Sequence, residues 1–89
     1  MIDGSFRATN RSKVFARIDS ERARQDSKFG RQERSLSRDL LVLVEEVGEA
    51  VQVYNDAVEN GRTADIYFEF EDELVQVAAV AVRILEGLL

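Results

Sequence analysis

Two long segments of this chain carry apolar residues at a helical period, and strand-like alternation is scarce. In the segment from about Arg38 to Glu59, Leu40, Val44, Val47, Val51, Tyr54 and Val58 recur at steps of 4, 3, 4, 3 and 4. That spacing predicts a helix packed along a bundle seam. The same helix carries a second stripe. At 100° per residue Val42, Glu46, Glu49 and Val53 fall together, so two valines bracket two glutamates. This face is expected to be buried too, at least in an oligomer. A further helix is predicted from after Thr63 to about Glu86, with the stripe Ile66, Phe70, Glu73, Val77, Val80, Ile84 and Leu88. Asn60-Gly61 reads as a helix stop, and Ser37 and Thr63 as N-caps. The connection is short, so these two helices must be antiparallel neighbours. A weaker helix is expected from Ser12 to Lys28, lying on the bundle surface and stopped by Phe29-Gly30. Residues 1–10 read as a disordered tail, leaving 11–89 as one helical domain. Two long helices and one weak partner do not close a core. The expected architecture is an all-α antiparallel bundle completed by oligomerisation, as a homodimer or homotetramer.

Composition narrows the chemistry. The 89 residues contain no Cys and no His, which excludes disulfides, thiolate sites and imidazole ligands. Any metal must be held by oxygen, which points to a hard cation, Mg²⁺ or alternatively Mn²⁺. The net charge of −5 is unevenly spread: residues 1–38 carry ten Lys/Arg and five Asp/Glu, residues 39–89 two and twelve. An acidic domain is a poor binder of nucleic-acid backbone, so no stable nucleic-acid binding is expected. A basic segment folded over an acidic one suits a polyphosphate and its cation; simple charge pairing between the halves is the alternative. No apolar run is long enough to span a bilayer and the start lacks the apolar core of a signal peptide, so a cytoplasmic location and no membrane association are expected.

The carboxylates stand where a solvated helix would not put them. Glu73 takes a core position in its stripe, and a glutamate in a seam is rare unless it is paired or coordinating. Antiparallel packing about residues 60–63 brings Glu46 and Glu49 level with Glu73 and Gln76. No Lys or Arg lies between Arg38 and Glu59, or between Ile66 and Gly87 except Arg83. Carboxylates roughly 5 Å apart repel by about 3 kcal/mol at an effective dielectric of 20, a cost that a divalent cation removes. A solvated groove, or glutamates kept protonated, are the other readings of the same spacing.

Glu45-Glu46-Val47-Gly48-Glu49, followed by Glu73-Leu74-Val75-Gln76 leading into Val77-Ala78-Ala79-Val80, resembles the paired acidic motifs of the MazG-like, all-α nucleoside triphosphate pyrophosphatases. The likeness covers about residues 38–86, and Arg24 to Gly30 is similar, more weakly, to a segment that precedes the motif in phage-type members. It implies a metal-dependent hydrolase that converts a (deoxy)nucleoside triphosphate to monophosphate and pyrophosphate, a house-cleaning activity on nucleotide pools. It further implies Glu46, Glu49, Glu73 and Gln76 as ligands to Mg²⁺, with Glu45 and Glu46 as catalytic carboxylates. Lys28, Arg31 and Arg83 are the expected phosphate-facing cations, and Phe29 is either a base-stacking ring or a helix-end plug. The family's final Asp stands here as Gln76, which offers an oxygen without charge. Glu69-Phe70-Glu71-Asp72 meets the second motif in another register, and Glu69 or Asp72 is therefore a candidate for the missing charge. Two alternatives follow: a catalytically weakened member that binds nucleotide or metal, and a helical dimerisation module whose acidic groove docks a basic partner.

Overall fold

The computed structural model describes residues 4–29, 35–62 and 66–89, and these form three helices: α1 (Gly4–Phe29), α2 (Leu36–Glu59) and α3 (Ile66–Leu88). The all-α expectation holds for these residues.

Local signals explain most of the helix ends. α2 is capped by Ser35, whose Oγ accepts from the Arg38 N–H at 3.2 Å, and not by Ser37 as the sequence suggested. Both serines precede the apolar run, but only Ser35 stands three residues before an unpaired N–H. Asp39 sits in the first turn as expected, where it favours the helix dipole. At the other end Asn60-Gly61 stops the helix as expected. Gly61 takes φ +67, and the Arg62 N–H reaches back to the Ala57 carbonyl at 2.9 Å. This six-to-one bond with a left-handed glycine is the Schellman closure, and a side chain at Gly61 would be strained there. α1 begins at Gly4 rather than at Ser12, so residues 4–10 are helical. No proline interrupts this polar stretch, and the hydrogen-bond ladder extends through it. Thr63, expected to cap α3, lies outside the described residues, as does Gly30.

α3 is the central helix. α2 packs against it in the expected antiparallel sense: Tyr54 meets Phe70 near the turn, with ring centroids 5.7 Å apart, while Val42 and Val80 share a cleft further along. Ala50 and Ala57 on α2 and Ala79 on α3 are buried. Such small side chains let helix backbones approach closely. The α3 stripe is inward as expected: Ile66 and Val80 are buried, Phe70, Glu73, Val77 and Ile84 half-buried, and only Leu88 at the frayed end is exposed.

The α2 stripe is a correction. Leu40, Val44, Val47, Val51, Tyr54 and Val58 are not buried against α3; they stand between 43% and 67% exposed, and Tyr54 touches α3 through Phe70. The second stripe, with Val42, Glu46 and Val53 half-buried, turns toward α3 instead. A helix apolar on two sides can dock by either, and here the alanines decide.

α1 lies on α3 through charge more than through apolar contact. Val14 and Phe15 are exposed, whereas Arg22 is buried at 7%. Its guanidinium donates to both Glu86 oxygens, at 3.1 and 3.0 Å, and to Asp26 at 3.1 Å. Glu86 holds Arg22 firmly protonated, and Arg22 in turn holds the Glu86 carboxyl below its ordinary range. A second tie joins Arg17 to Glu71 at 3.3 Å and Asp72 at 2.6 Å. These pairs are the charge complementarity between the basic and acidic halves.

Candidate metal and phosphate site

The facing surfaces of α2 and α3 bring three carboxylates together. Glu46 and Glu49, one turn apart on α2, meet Glu73 of α3, and one oxygen from each lies within 4.8 Å of the others. Among the described residues this is the one acidic cluster of metal-binding size. Glu46 and Glu73 are half-buried, and the Oε2 atom of each is buried without a hydrogen-bond donor. Glu49 is exposed and opens the cluster to solvent.

The electrostatics follow from this placement. Burial first, and then the charges of Glu49 and Glu73, push the Glu46 carboxyl above its ordinary range. Burial likewise raises Glu73, and Glu49 raises it further. A proton on Glu73 can be shared with Glu49; when all three carboxylates are ionised, no donor serves the two buried oxygens. A buried carboxylate oxygen without a donor costs on the order of 1–3 kcal/mol. The cluster therefore lacks positive charge, in the form of protons or of a cation bound through oxygen. Mg²⁺ fits this donor set, because all its ligands are hard oxygens.

Beside the cluster a cleft of about 270 Å³ runs between α1 and α2 over α3, with Glu46, Gln76, Arg24 and Arg83 in its walls. A second hollow of about 480 Å³ also borders Arg24 and Gln76 and carries Asp72 and Glu21. Arg24 thus stands between two open spaces. It is held there by Glu21, at 2.9 and 2.7 Å, and it keeps Glu21 below its ordinary range.

The structure joins some of the expected site residues and separates others. Glu46, Glu49 and Glu73 converge, with Gln76 in the adjoining cleft wall. Arg83 lines the cleft. Glu45 is exposed and outside the cleft lining, although its charge still raises Glu46. Asp72 does not join the cluster, because Arg17 holds it at 2.6 Å. Glu69 lies toward the α2–α3 turn, beside Ala57, Arg62 and Ile66. Neither joins the three-glutamate cluster. Lys28 is exposed on the last turn of α1 and is not part of the cleft wall. The Phe29 side chain and Arg31 lie outside the described residues. Sequence reading did not single out Arg24, which lines both hollows. Its one signal was the weak resemblance of the segment it opens, and its spacing from Glu21 reads as an ordinary surface pair.

Compared with protein-family models, curated proteins and solved structures, the chain matches none. Among the described residues no helix is long and apolar enough to cross a membrane.

Proposed function

We propose that this protein hydrolyses (deoxy)nucleoside triphosphates to monophosphate and pyrophosphate with Mg²⁺, in the manner of the MazG-like enzymes its motifs resemble. The observation that carries the reading is the meeting of Glu46, Glu49 and Glu73 across two helices, two of them with buried oxygens that have no donor. A purely structural seam would place apolar side chains there. Mg²⁺ would be held by these three carboxylates, with the Gln76 amide oxygen as a neutral neighbour. When bound, it supplies charge neutralisation for the polyphosphate and lowers the pKa of a water.

The protein's own groups account for the rest. Arg24 and Arg83 set positive charge in the cleft wall beside the cluster, where the β- and γ-phosphates are expected to lie. Water attacks the α-phosphorus, the bond to the bridging oxygen breaks, and pyrophosphate leaves toward these arginines. Glu46, in the cleft wall, is the carboxylate that would take the proton of the attacking water. Exposed Glu45 acts on it through charge alone.

The test is pyrophosphate release from a panel of ribo- and deoxynucleoside triphosphates with Mg²⁺. Release from part of the panel is expected, and Glu46→Gln should lower it by at least roughly 100-fold, the scale of a lost general base. Silence across the panel from folded protein would replace the enzyme with the weakened nucleotide binder, for which the uncharged Gln76 gives the reason. Undiminished release in the variant would remove Glu46 from the site.

A further inference from the structure

α1 docks on α3 by a largely polar stripe. Among the described residues of α1, Ile18, Glu21, Arg22, Gln25 and Asp26 are the ones not exposed, and they share one helix face. Arg22 has its partner across the interface in Glu86. Glu21 does not: its described donors, Arg24 and Gln25, belong to its own helix. The Glu21 side chain is nevertheless only 13% exposed, against 53% for Arg24. A solvated pair one turn apart keeps both heads in water. Here the guanidinium stands outside and the carboxylate lies on the docking face.

Two further observations set this carboxylate beside the acidic cluster. Glu21 and Gln76 line the same hollow, and Gln76 also lines the cleft that holds Glu46. Gln76 is thus the wall they share, at the position where charge is missing. The field of Glu21 also crosses that wall. Burial, Glu49 and Glu73 raise the Glu46 carboxyl most, and Glu21 comes next, ahead of Glu45, the chain neighbour of Glu46. Among the described residues α1 and α2 pack on α3 and not on each other, so the two glutamates face one another across a gap. Each helix therefore sets a glutamate on its inward face: Glu21, Glu46 and Glu73.

We infer that Glu21 is the fourth carboxylate of the cation site and supplies the charge that Gln76 lacks, an inference that rests on reading Glu46, Glu49 and Glu73 as that site. Bound Mg²⁺ commonly retains several waters, so a carboxylate beside the three-glutamate cluster can serve through one of them. Gln25 holds Glu21 ready. Its amide donates to Glu21 at 3.2 Å and accepts from Arg22 at 3.2 Å, and Arg22 is anchored to Glu86 on α3. Arg24 covers the Glu21 charge for as long as no phosphate engages it. A guanidinium pairs in the same forked manner with carboxylate and with phosphate. A polyphosphate that takes Arg24 therefore frees Glu21 for the cation, and the two ligands favour each other.

Mn²⁺ titration of the full chain, followed by electron paramagnetic resonance, reads this site without catalysis. Arg24→Gln is the reference protein, because in it Glu21→Gln leaves no guanidinium unpaired. Glutamine keeps the shape of Glu21 and a hydrogen bond with Gln25, and unchanged helicity by circular dichroism verifies the fold. In that background Glu21→Gln should weaken Mn²⁺ binding at least roughly tenfold, the scale of a lost outer-shell partner, with one site per chain retained. Glu45→Gln in the same background removes an equal charge from an exposed position and should cost no more than about threefold. A loss smaller than roughly tenfold for Glu21→Gln, or an equal loss for Glu45→Gln, would overturn the role of Glu21 and leave the cluster standing. Native protein that binds no Mn²⁺ would overturn the cluster itself, and Glu21 with it, so the two failures are told apart.

Discussion

Glu73→Leu should make the metal-free protein more stable and at the same time remove its response to Mg²⁺. Glu73 occupies a core position of α3 between Phe70 and Val77, yet its Oε2 is buried with no donor and faces two further carboxylates. In the absence of a cation this is a local conflict between packing and charge. Repulsion at roughly 5 Å amounts to about 3 kcal/mol per pair at an effective dielectric of 20, before solvent at exposed Glu49 screens it. Leu completes the apolar stripe and removes one of the two buried oxygens that have no donor. A gain of about 1–2 kcal/mol is expected, which for a domain of this size raises Tm by roughly 5–15 °C. Native protein should gain stability from millimolar Mg²⁺, because a ligand that binds only the folded state stabilises it, and the variant should not. Thermal unfolding of both proteins, with and without Mg²⁺, checks both effects. A destabilised variant would mean that Glu73 supports the fold through contacts other than those described.

Acidification should strengthen the metal-free fold, in contrast to the usual behaviour of acidic domains. Glu46 and Glu73 hold their protons more tightly folded than unfolded, mainly because burial disfavours their charge. The folded state therefore binds the extra protons, and stability grows as pH falls through the raised values. The gain is complete below 4.5, the ordinary value of the group. Glu21 and Glu86 act in the opposite sense, since Arg24 and Arg22 hold their carboxyls down. Their contribution is present above 4.5 and disappears as pH falls through their lowered values. The optimum of the metal-free protein consequently lies near the ordinary carboxylate pKa. With saturating Mg²⁺ the trend should be offset or reversed, because cation and proton compete for the same oxygens. Tm measured as pH falls from neutral toward the ordinary carboxylate value should rise without Mg²⁺. The shift produced by Mg²⁺ should shrink over the same range. A metal-free Tm that falls on acidification would show that the cluster is already solvated.

The acidic cluster was legible because two patterns intersected. Glu46 and Glu49 shared a stripe with Val42 and Val53, and Glu73 interrupted an apolar stripe on the facing helix. The short connection closed by Asn60-Gly61 then fixed their level. What remained hidden had definite causes. α2 is apolar on two sides, and periodicity does not say which side docks. The deciding residues were Ala50 and Ala57, seven apart, whose small size marks the closest approach but carries little apolar weight in the pattern. Arg22 was hidden because arginines are mostly exposed, and the partner that buries it, Glu86, lies 64 residues away. Arg24 was hidden by its exposure and by its local partner Glu21. The start of α1 escaped because polar residues 4–10 show no apolar period, although they are helical.

The central claim is that Glu46, Glu49 and Glu73 form one divalent-cation site. Its most direct test is a Mn²⁺ titration followed by electron paramagnetic resonance, in which free and bound ions are counted separately. One Mn²⁺ per chain, displaced by Mg²⁺ and lost or weakened at least roughly tenfold in Glu49→Gln and Glu73→Leu alike, is the predicted result. Native protein that leaves all the Mn²⁺ free, or binding that survives both substitutions, would contradict the account.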